Sequence, residues 1–157
     1  MKITIIAVGQ RQPAWADAAV SDFLGRLPAD FKVELKQIKT EIRSGGADEA
    51  SRAMAAEAVR ARAALPAGAT VVALDERGKD WSTERFSQAL QRWRDEAVPV
   101  AFLIGGPDGL EPALKQGAGL LLRLSSMTLP HALARVVLAE QIYRAWSILA
   151  RHPYHRA

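Results

Sequence analysis

Cysteine is absent from the 157-residue sequence. Its absence excludes disulfide bonds, thiolate metal sites and cysteine nucleophiles, and it favours a reducing compartment, so we expect a cytoplasmic protein. Long apolar runs are absent as well: no stretch approaches the roughly 18 residues that span a bilayer, and we therefore expect no membrane partner. The apolar run after Met1 ends at Gly9, which is too short for a signal peptide and predicts a buried strand instead.

Acidic residues are scarce near the end of the chain. Residues 112–157 contain six lysines and arginines but a single acid, Glu140, so this segment carries +5 whereas residues 1–111 carry −1. All three histidines also lie after residue 130. A basic, arginine-rich end is typical of a protein that binds a polyanion, with nucleic acid as the first candidate, although an arginine-rich composition alone gives the same charge.

Hydrophobic residues make up 49% of the chain and charged residues 24%, which indicates a folded domain and excludes intrinsic disorder. Short apolar runs alternate with helical patterns. Strands are predicted at 2–8, 31–38, 70–74, 98–104 and 120–124, helices at 13–27, 47–65, from Ser82 onward, 111–116 and 130–150, and a polar loop at 76–80. Strands that are apolar throughout and separated by helices are typical of a parallel sheet covered on both faces. We therefore predict a single α/β domain over residues 1–157 with a mainly parallel sheet.

The first candidate site is the glycine-rich segment Gly105-Gly106-Pro107-Asp108-Gly109, which follows a predicted buried strand. Ligands of parallel sheets bind beyond the carboxyl ends of strands, and glycine lets the backbone turn tightly and approach a ligand. Neither a Gly-Lys-Ser/Thr sequence nor a GxGxxG pattern is present, so the segment is neither a P-loop nor a dinucleotide fingerprint. It is either a ligand-binding loop or a structural turn.

A second candidate loop runs from Leu124 to His131, after the next apolar run. Its irregular backbone can offer amides and carbonyls to a purine while apolar side chains sandwich the ring. The alternatives are an ordinary helix start capped by Thr128 or a neighbour, and a serine nucleophile at Ser125 or Ser126 paired with His131. The nucleophile alternative lacks the GxSxG elbow.

The last predicted helix carries a polar stripe on an otherwise apolar surface. Glu140, Arg144, Ser147 and Arg151 share one face, and Glu140 and Arg144 are close enough for an ion pair. The apolar remainder needs burial on more than one side, which either a second subunit or a central position within a monomer provides.

The chain ends on His152-Pro153-Tyr154-His155-Arg156. Arginine, tyrosine and histidine side chains can contact phosphate and stack on a base. His152 and His155 are also possible metal ligands, but no carboxylate or thiolate joins them, and we predict no metal.

Taken together, the motifs closely resemble the bacterial RlmH family, within the SPOUT superfamily of methyltransferases. They are Gly105-Gly106-Pro107-Asp108-Gly109, Leu124-Ser125-Ser126-Met127-Thr128-Leu129-Pro130-His131, Tyr143-Arg144-Ala145-Trp146-Ser147 and His152-Pro153-Tyr154-His155-Arg156. The resemblance covers the whole chain. It implies transfer of a methyl group from S-adenosylmethionine to N3 of a pseudouridine in 23S rRNA of the assembled ribosome.

The resemblance also implies a deep trefoil knot in the C-terminal part, an exception to the rule against threaded chains, and a homodimer with a shared active site. It assigns the target nucleotide to Arg144, Tyr154 and His155. It assigns the cofactor to Leu74, Gly105, Gly106, Leu124, Ser125, Ser126, Met127, Thr128 and Leu129.

Two chemical questions stay open at this stage. The pseudouridine N3 must lose its proton, for which His155 is a candidate base, while the positive charge of Arg144 is an alternative way to favour the anionic imide. Two other functions are also compatible with the pattern. One is a non-catalytic RNA- or ribosome-binding α/β module, and the other is a nucleotide-binding regulator that uses the loop at Gly105.

Overall fold

The computed structural model describes residues 1–156, which leaves Ala157 at the end of the predicted domain outside the described residues. Strands and helices alternate as the sequence predicts. The strands are β1 (Lys2–Val8), β2 (Lys32–Ile38), β3 (Thr70–Asp80), β4 (Val100–Ile104) and β5 (Leu120–Arg123). The helices are α1 (Ala14–Gly25), α2 (Ala47–Ala64), α3 (Thr83–Asp95), α4 (Pro112–Gln116) and α5 (His131–Leu149).

The strands form one sheet in the order β2-β1-β4-β3-β5, and every neighbouring pair is parallel. The predicted α/β class and parallel sheet are therefore confirmed. Because all strands point the same way, their carboxyl ends lie at one edge of the sheet. The loops that follow β3, β4 and β5 start from this edge side by side, because these three strands are neighbours in the sheet.

Helices cover both faces of the sheet, which explains why its central strands are apolar at successive positions. On one face, Ile5 packs in a core cluster with Leu90 of α3 and Ile142 of α5. On the other face, its neighbour Ile6 packs in a second cluster with Ala58 of α2. At Ser82 the predicted cap of α3 is confirmed, since the Ser82 hydroxyl accepts a hydrogen bond from the Arg85 amide at 3.1 Å.

The predicted polar loop at 76–80 is wrong, because β3 continues to Asp80. Leu74 pairs with Leu122 of β5, the chain then bulges outward, and Lys79 returns to pair with the same Leu122. Gly78 makes the return possible, since a Cβ at this position would lie 2.6 Å from the Leu122 backbone. The polar composition misled the prediction because the extension leaves the apolar part of the sheet and is largely exposed.

α5 lies between α1 and α3 on one face of the sheet and contacts both. Its residues Leu138, Ile142 and Tyr143 are buried within this chain. The central position of α5 within the monomer therefore accounts for the burial of much of its apolar surface. A second subunit was the other explanation that the sequence allowed. Across residues 1–156, no helix combines the length and the apolar character needed to cross a bilayer.

Candidate active site

A cavity of about 660 Å³ opens at the carboxyl ends of β3, β4 and β5. Most of its wall is made by three segments: the outward bulge of β3, the turn after β4 and the loop between β5 and α5; Lys115 of α4 and the first turn of α5 complete it. Eight of the nine residues predicted for the cofactor line this cavity, namely Leu74, Gly105, Gly106, Leu124, Ser125, Met127, Thr128 and Leu129. Ser126, the ninth, lies in the same loop but is exposed and does not line the cavity.

The turn after β4, Gly106–Gly109, closes by a hydrogen bond from the Gly109 amide to the Gly106 carbonyl at 3.0 Å, and we call it the cavity turn. Gly105 precedes it, and a Cβ there would lie 2.5 Å from the Gly109 carbonyl carbon. A Cβ at Gly106 would lie 3.0 Å from Val8 of β1. Gly105 therefore lets the chain pass close to the far end of the turn, and Gly106 lets the turn pack against β1, in addition to any role towards a ligand.

Residues 124–130, which we call the cavity loop, form neither helix nor strand. The Ser125 hydroxyl accepts a hydrogen bond from the Met127 amide at 2.9 Å, so this hydroxyl holds the loop's own backbone. Within residues 1–156, neither Ser125 nor Ser126 makes a hydrogen bond to His131, and α5 begins without a side-chain cap. The serine–histidine pair and the Thr128 cap are thus not formed, and much of the loop backbone remains available to a ligand.

Charged residues from the bulge of β3 also line the cavity, and the sequence analysis missed them. Asp75 lies 3.7 Å from Lys115 of α4, and both side chains are partly buried. Glu76, Arg77, Asp108 and Arg123 complete the charged part of the wall. The cavity therefore combines apolar side chains, free backbone groups and both signs of charge. The position of Asp75 at the end of an apolar strand was the available signal.

The three residues predicted for the target nucleotide lie elsewhere, at the C-terminal end of α5. Glu140 Oε1 accepts hydrogen bonds from Arg144 Nε at 2.7 Å and from the Tyr154 hydroxyl at 3.0 Å. The Arg144 guanidinium also lies over the Tyr154 ring, 4.8 Å from its centroid. We call Glu140, Tyr143, Arg144 and Tyr154 the tail cluster. The predicted ion pair between Glu140 and Arg144 is present in it.

Tyr154 is held against α5 rather than extended into solvent. Its ring meets the Tyr143 ring edge to face, with centroids 4.6 Å apart. Burial raises the pKa of Tyr154 above its ordinary value, and the hydrogen bond to Glu140 raises it further. His155 follows directly, and its Nδ1 is buried with no hydrogen-bond partner among the described residues.

The tail cluster and the cavity are far apart within one chain. Arg144, Tyr154 and His155 are not among the residues that line the cavity. The last residue of α5 that lines it is Ala134, ten positions before Arg144. A helix rises about 1.5 Å per residue, so the two positions lie about 15 Å apart along the axis. The residues predicted for the cofactor therefore lie together, and so do those predicted for the target nucleotide. The two sets are apart within one chain.

Comparison with known proteins decides the family. A family model described as a predicted SPOUT methyltransferase matches residues 1–155. Proteins named ribosomal RNA large subunit methyltransferase H, from Burkholderia vietnamiensis and Burkholderia multivorans, are each 55% identical over the full length of both chains. The chain belongs to the RlmH family of SPOUT methyltransferases.

Solved structures share the SPOUT fold at low sequence identity. A probable methyltransferase from Bordetella pertussis is 18% identical with a TM-score of 0.57, covering 91% of this chain and 95% of that one. A putative methyltransferase from Legionella pneumophila, solved with bound cofactor SAM, is 14% identical with a TM-score of 0.50, covering 93% of this chain and 66% of that one. The trefoil knot that the resemblance to the RlmH family implies stays a prediction.

The described residues of this RlmH-family chain contain no cluster of three or more histidines and acids able to hold a metal ion. In the tail, His152 Nδ1 accepts a hydrogen bond from the Tyr154 amide at 3.1 Å. The imidazole that the sequence offered as a metal ligand therefore helps to fold the tail back onto α5.

Proposed function

We propose that the protein transfers a methyl group from S-adenosylmethionine to N3 of a pseudouridine in 23S rRNA of the assembled ribosome. The observation that carries the proposal is the 55% identity, over the full length of both chains, to proteins named ribosomal RNA large subunit methyltransferase H. The position N3 and the assembled ribosome come from the resemblance of the motifs. The non-catalytic RNA-binding alternative offers no reason for a cavity of this size at the carboxyl edge of the sheet.

The cavity fits S-adenosylmethionine in size and in donor set. Cavities of about 300–1,000 Å³ hold ligands of this class, mostly against apolar walls with a few placed polar groups. Leu74 and Leu129 supply apolar walls, and the cavity loop supplies backbone groups for an adenine edge. Asp75 and Lys115 supply opposite charges for the amino and carboxylate groups of the methionyl part. When bound, the cofactor supplies a methyl group that is already activated on a sulfonium.

The distance between the cavity and the tail cluster supports a homodimer with a shared active site. Methyl transfer requires reacting atoms about 3–3.5 Å apart before reaction. Arg144 lies about 15 Å along α5 from the last residue that lines the cavity of the same chain. In our proposal, the tail cluster of one copy therefore places the target nucleotide at the cavity of a second copy.

The tail cluster and the adjoining His155 have groups suited to the proton on N3. The guanidinium of Arg144 favours an anionic imide by its charge, and Glu140 holds that guanidinium in place. His155 is the candidate base through Nε2, because its Nδ1 is buried, without a partner among the described residues. The Tyr154 ring, fixed between Tyr143 and Arg144, restricts where the base can lie. Positioning of this kind contributes about 7–11 kcal/mol when the geometry is right.

The proposed function is tested by methylation of ribosomes from a strain that lacks the modification. We expect S-adenosylhomocysteine to bind in calorimetry, and N3-methylpseudouridine to form on assembled ribosomes with little product on naked rRNA fragments. The chain is short and its basic excess is modest, so recognition depends on a preformed surface rather than on sequence. Cofactor binding without any methylated ribosomal product would contradict the proposed substrate, and equal rates on a short hairpin would contradict the need for the ribosome.

A further inference from the structure

Residues 39–46, the loop between β2 and α2, are joined to the cavity through one arginine. Arg43 Nε donates a hydrogen bond to Asp108 Oδ2 in the cavity turn at 2.5 Å. The two terminal nitrogens of Arg43 donate to both carboxylate oxygens of Glu57 in α2, at 2.9 and 3.0 Å. A single guanidinium therefore connects the wall of the cavity with the body of the protein.

Glu57 is an unusual anchor because its carboxylate is buried, with 2% of the residue exposed. Besides Arg43, it accepts a hydrogen bond from the Glu41 amide at 3.0 Å. The hydrogen bonds to Glu57 raise the pKa of Arg43, so the guanidinium keeps its charge. A buried ion pair adds little stability over well-packed apolar side chains, so stability alone does not explain its presence beside the cavity.

The backbone contacts described for the cavity turn lie within the turn itself. Glycines stand at both of its ends, and Gly109 has a φ of +80°, a conformation that glycine adopts freely. The only ladder contact described for the turn joins Gly106 to Gly109, that is, its own two ends. A turn with this freedom would have to be ordered when a ligand binds, at a cost in conformational entropy.

We propose that Arg43 is a positioning residue that holds the cavity turn, through Asp108, in the shape that binds the cofactor. The inference rests on the proposed function, because it takes the cavity as the S-adenosylmethionine site. It gives the loop at 39–46 a role that its sequence did not show. Arg43 itself is not among the residues that line the cavity, so it acts through the turn.

The test compares Arg43→Gln with a matched control, Arg60→Ala. Arg60 also ties the same loop to α2, by hydrogen bonds to the Lys39 carbonyl and the Glu41 carboxylate, but it does not contact the cavity turn. Calorimetry with S-adenosylhomocysteine should show about tenfold weaker binding for Arg43→Gln and unchanged binding for Arg60→Ala. The KM for S-adenosylmethionine should rise by a similar factor, with a smaller change in kcat on ribosomes.

Two further variants separate positioning from general folding. Arg43→Lys keeps the positive charge, so it should bind S-adenosylhomocysteine more tightly than Arg43→Gln. It cannot span Asp108 and Glu57 together, so its affinity should stay below that of the wild-type protein. Asp108→Asn leaves the pair of Arg43 with Glu57 intact and should also weaken binding. Because both changes break the same contact, the Arg43→Gln/Asp108→Asn double variant should bind no more weakly than Arg43→Gln alone. If Arg43→Gln does not fold, a weaker affinity in Arg43→Lys carries the test, because Asp108 itself lines the cavity and Arg43 does not.

Several results would overturn the inference. Wild-type affinity in Arg43→Gln, or in Arg43→Lys where Arg43→Gln does not fold, would show that the turn needs no support from Arg43. Equal losses in Arg43→Gln and Arg60→Ala would assign the effect to the loop as a whole, and additive losses in the double variant would show that the two side chains act independently. Failure of the wild-type protein to bind S-adenosylhomocysteine would overturn the proposed cofactor and this inference together, whereas the other results leave the proposed function intact.

Discussion

The cavity and the tail cluster are built in opposite ways. The cavity is shaped by irregular backbone, with glycines that allow close approach and a loop outside helix and strand. The tail cluster is shaped by side chains, with aromatic rings and a guanidinium packed on one helix around a shared carboxylate. Backbone groups suit the recognition of a small cofactor, while charged and aromatic side chains suit a nucleotide and its proton. In the proposed reaction, the two halves of the chemistry therefore lie at separate places of one short chain.

Removing residues 153–157 should have the largest effect, and it should affect the tail without affecting the cavity. We expect methyl transfer to fall by several orders of magnitude, because Tyr154 and His155 are lost from the tail. Binding of S-adenosylhomocysteine should stay within about twofold of wild type, since the cavity lies about 15 Å away along α5. Rates on ribosomes and calorimetry provide the two measurements. An unchanged rate would remove the tail from the reaction, and loss of cofactor binding would show that the two regions are not separate.

A mixture of two inactive variants should recover activity if the two regions meet across a dimer. Thr128→Trp obstructs the cavity from an exposed loop position, and Tyr154→Ala damages the tail. Mixed dimers formed by exchange of subunits should contain one intact combination, so an equal mixture should regain about a quarter of wild-type activity. Each variant alone, and the two mixed after cross-linking into homodimers, are the controls. No recovery despite demonstrated exchange would place cavity and tail of the same chain in one site.

His155→Ala should lower the rate of methyl transfer by about 10²–10⁴-fold if His155 is the general base. His152→Ala is the matched control in the same tail, because its Nδ1 already accepts a hydrogen bond from the Tyr154 amide. We expect the control to lose less than tenfold in kcat, measured under saturating cofactor. Similar losses in both variants would mean that the histidines only fold the tail, and Arg144 would remain as the group that favours the anionic imide.

Glu140→Gln should have a smaller effect, about a tenfold loss of kcat, since Arg144 loses its ion pair while Tyr154 keeps an acceptor. The pKa of Tyr154 should move back towards its ordinary value, because the negative charge near the phenol disappears while burial and the positive charges of Arg144 and Arg26 remain. Absorbance of tyrosinate against pH measures that shift. A lowered kcat with an unchanged Tyr154 titration would separate the catalytic role of Glu140 from its contact with the phenol.

The raised pKa of Tyr154 predicts how the free energy of unfolding changes at alkaline pH. The folded-state pKa of Tyr154 is raised above the unfolded value near 10, so this residue's contribution is fully present below pH 10. It is lost as the pH rises through the folded pKa, when the phenolate would lie beside the Glu140 carboxylate. Unfolding midpoints should therefore fall more steeply above pH 10 in the wild-type protein than in Tyr154→Phe. Parallel curves for the two proteins would contradict this sign.

Local patterns determined the elements of the fold because successive apolar residues must be buried on both faces of a sheet. Residues 2–8 were predicted as a strand and are one, and Ser82 was predicted as a cap and caps α3. The bulge of β3 escaped prediction, since only pairing with β5 and the close approach of Gly78 make a strand of so polar a segment. Propensity is local, whereas this pairing joins residues that are distant in the chain.

The sequence by itself determined which residue types are present for each half of the proposed chemistry: a glycine turn and irregular loop predicted for the cofactor, and a basic aromatic tail predicted for the nucleotide. Only the tertiary structure decided how they are arranged. The sheet brings Asp75 and Lys115 into the cavity and lets Arg43 reach Asp108, contacts that link residues far apart in the chain. The length of α5 keeps the tail away from the cavity of its own chain. Distances of this kind depend on the packing of whole elements against one another, and no local pattern of residues contains them.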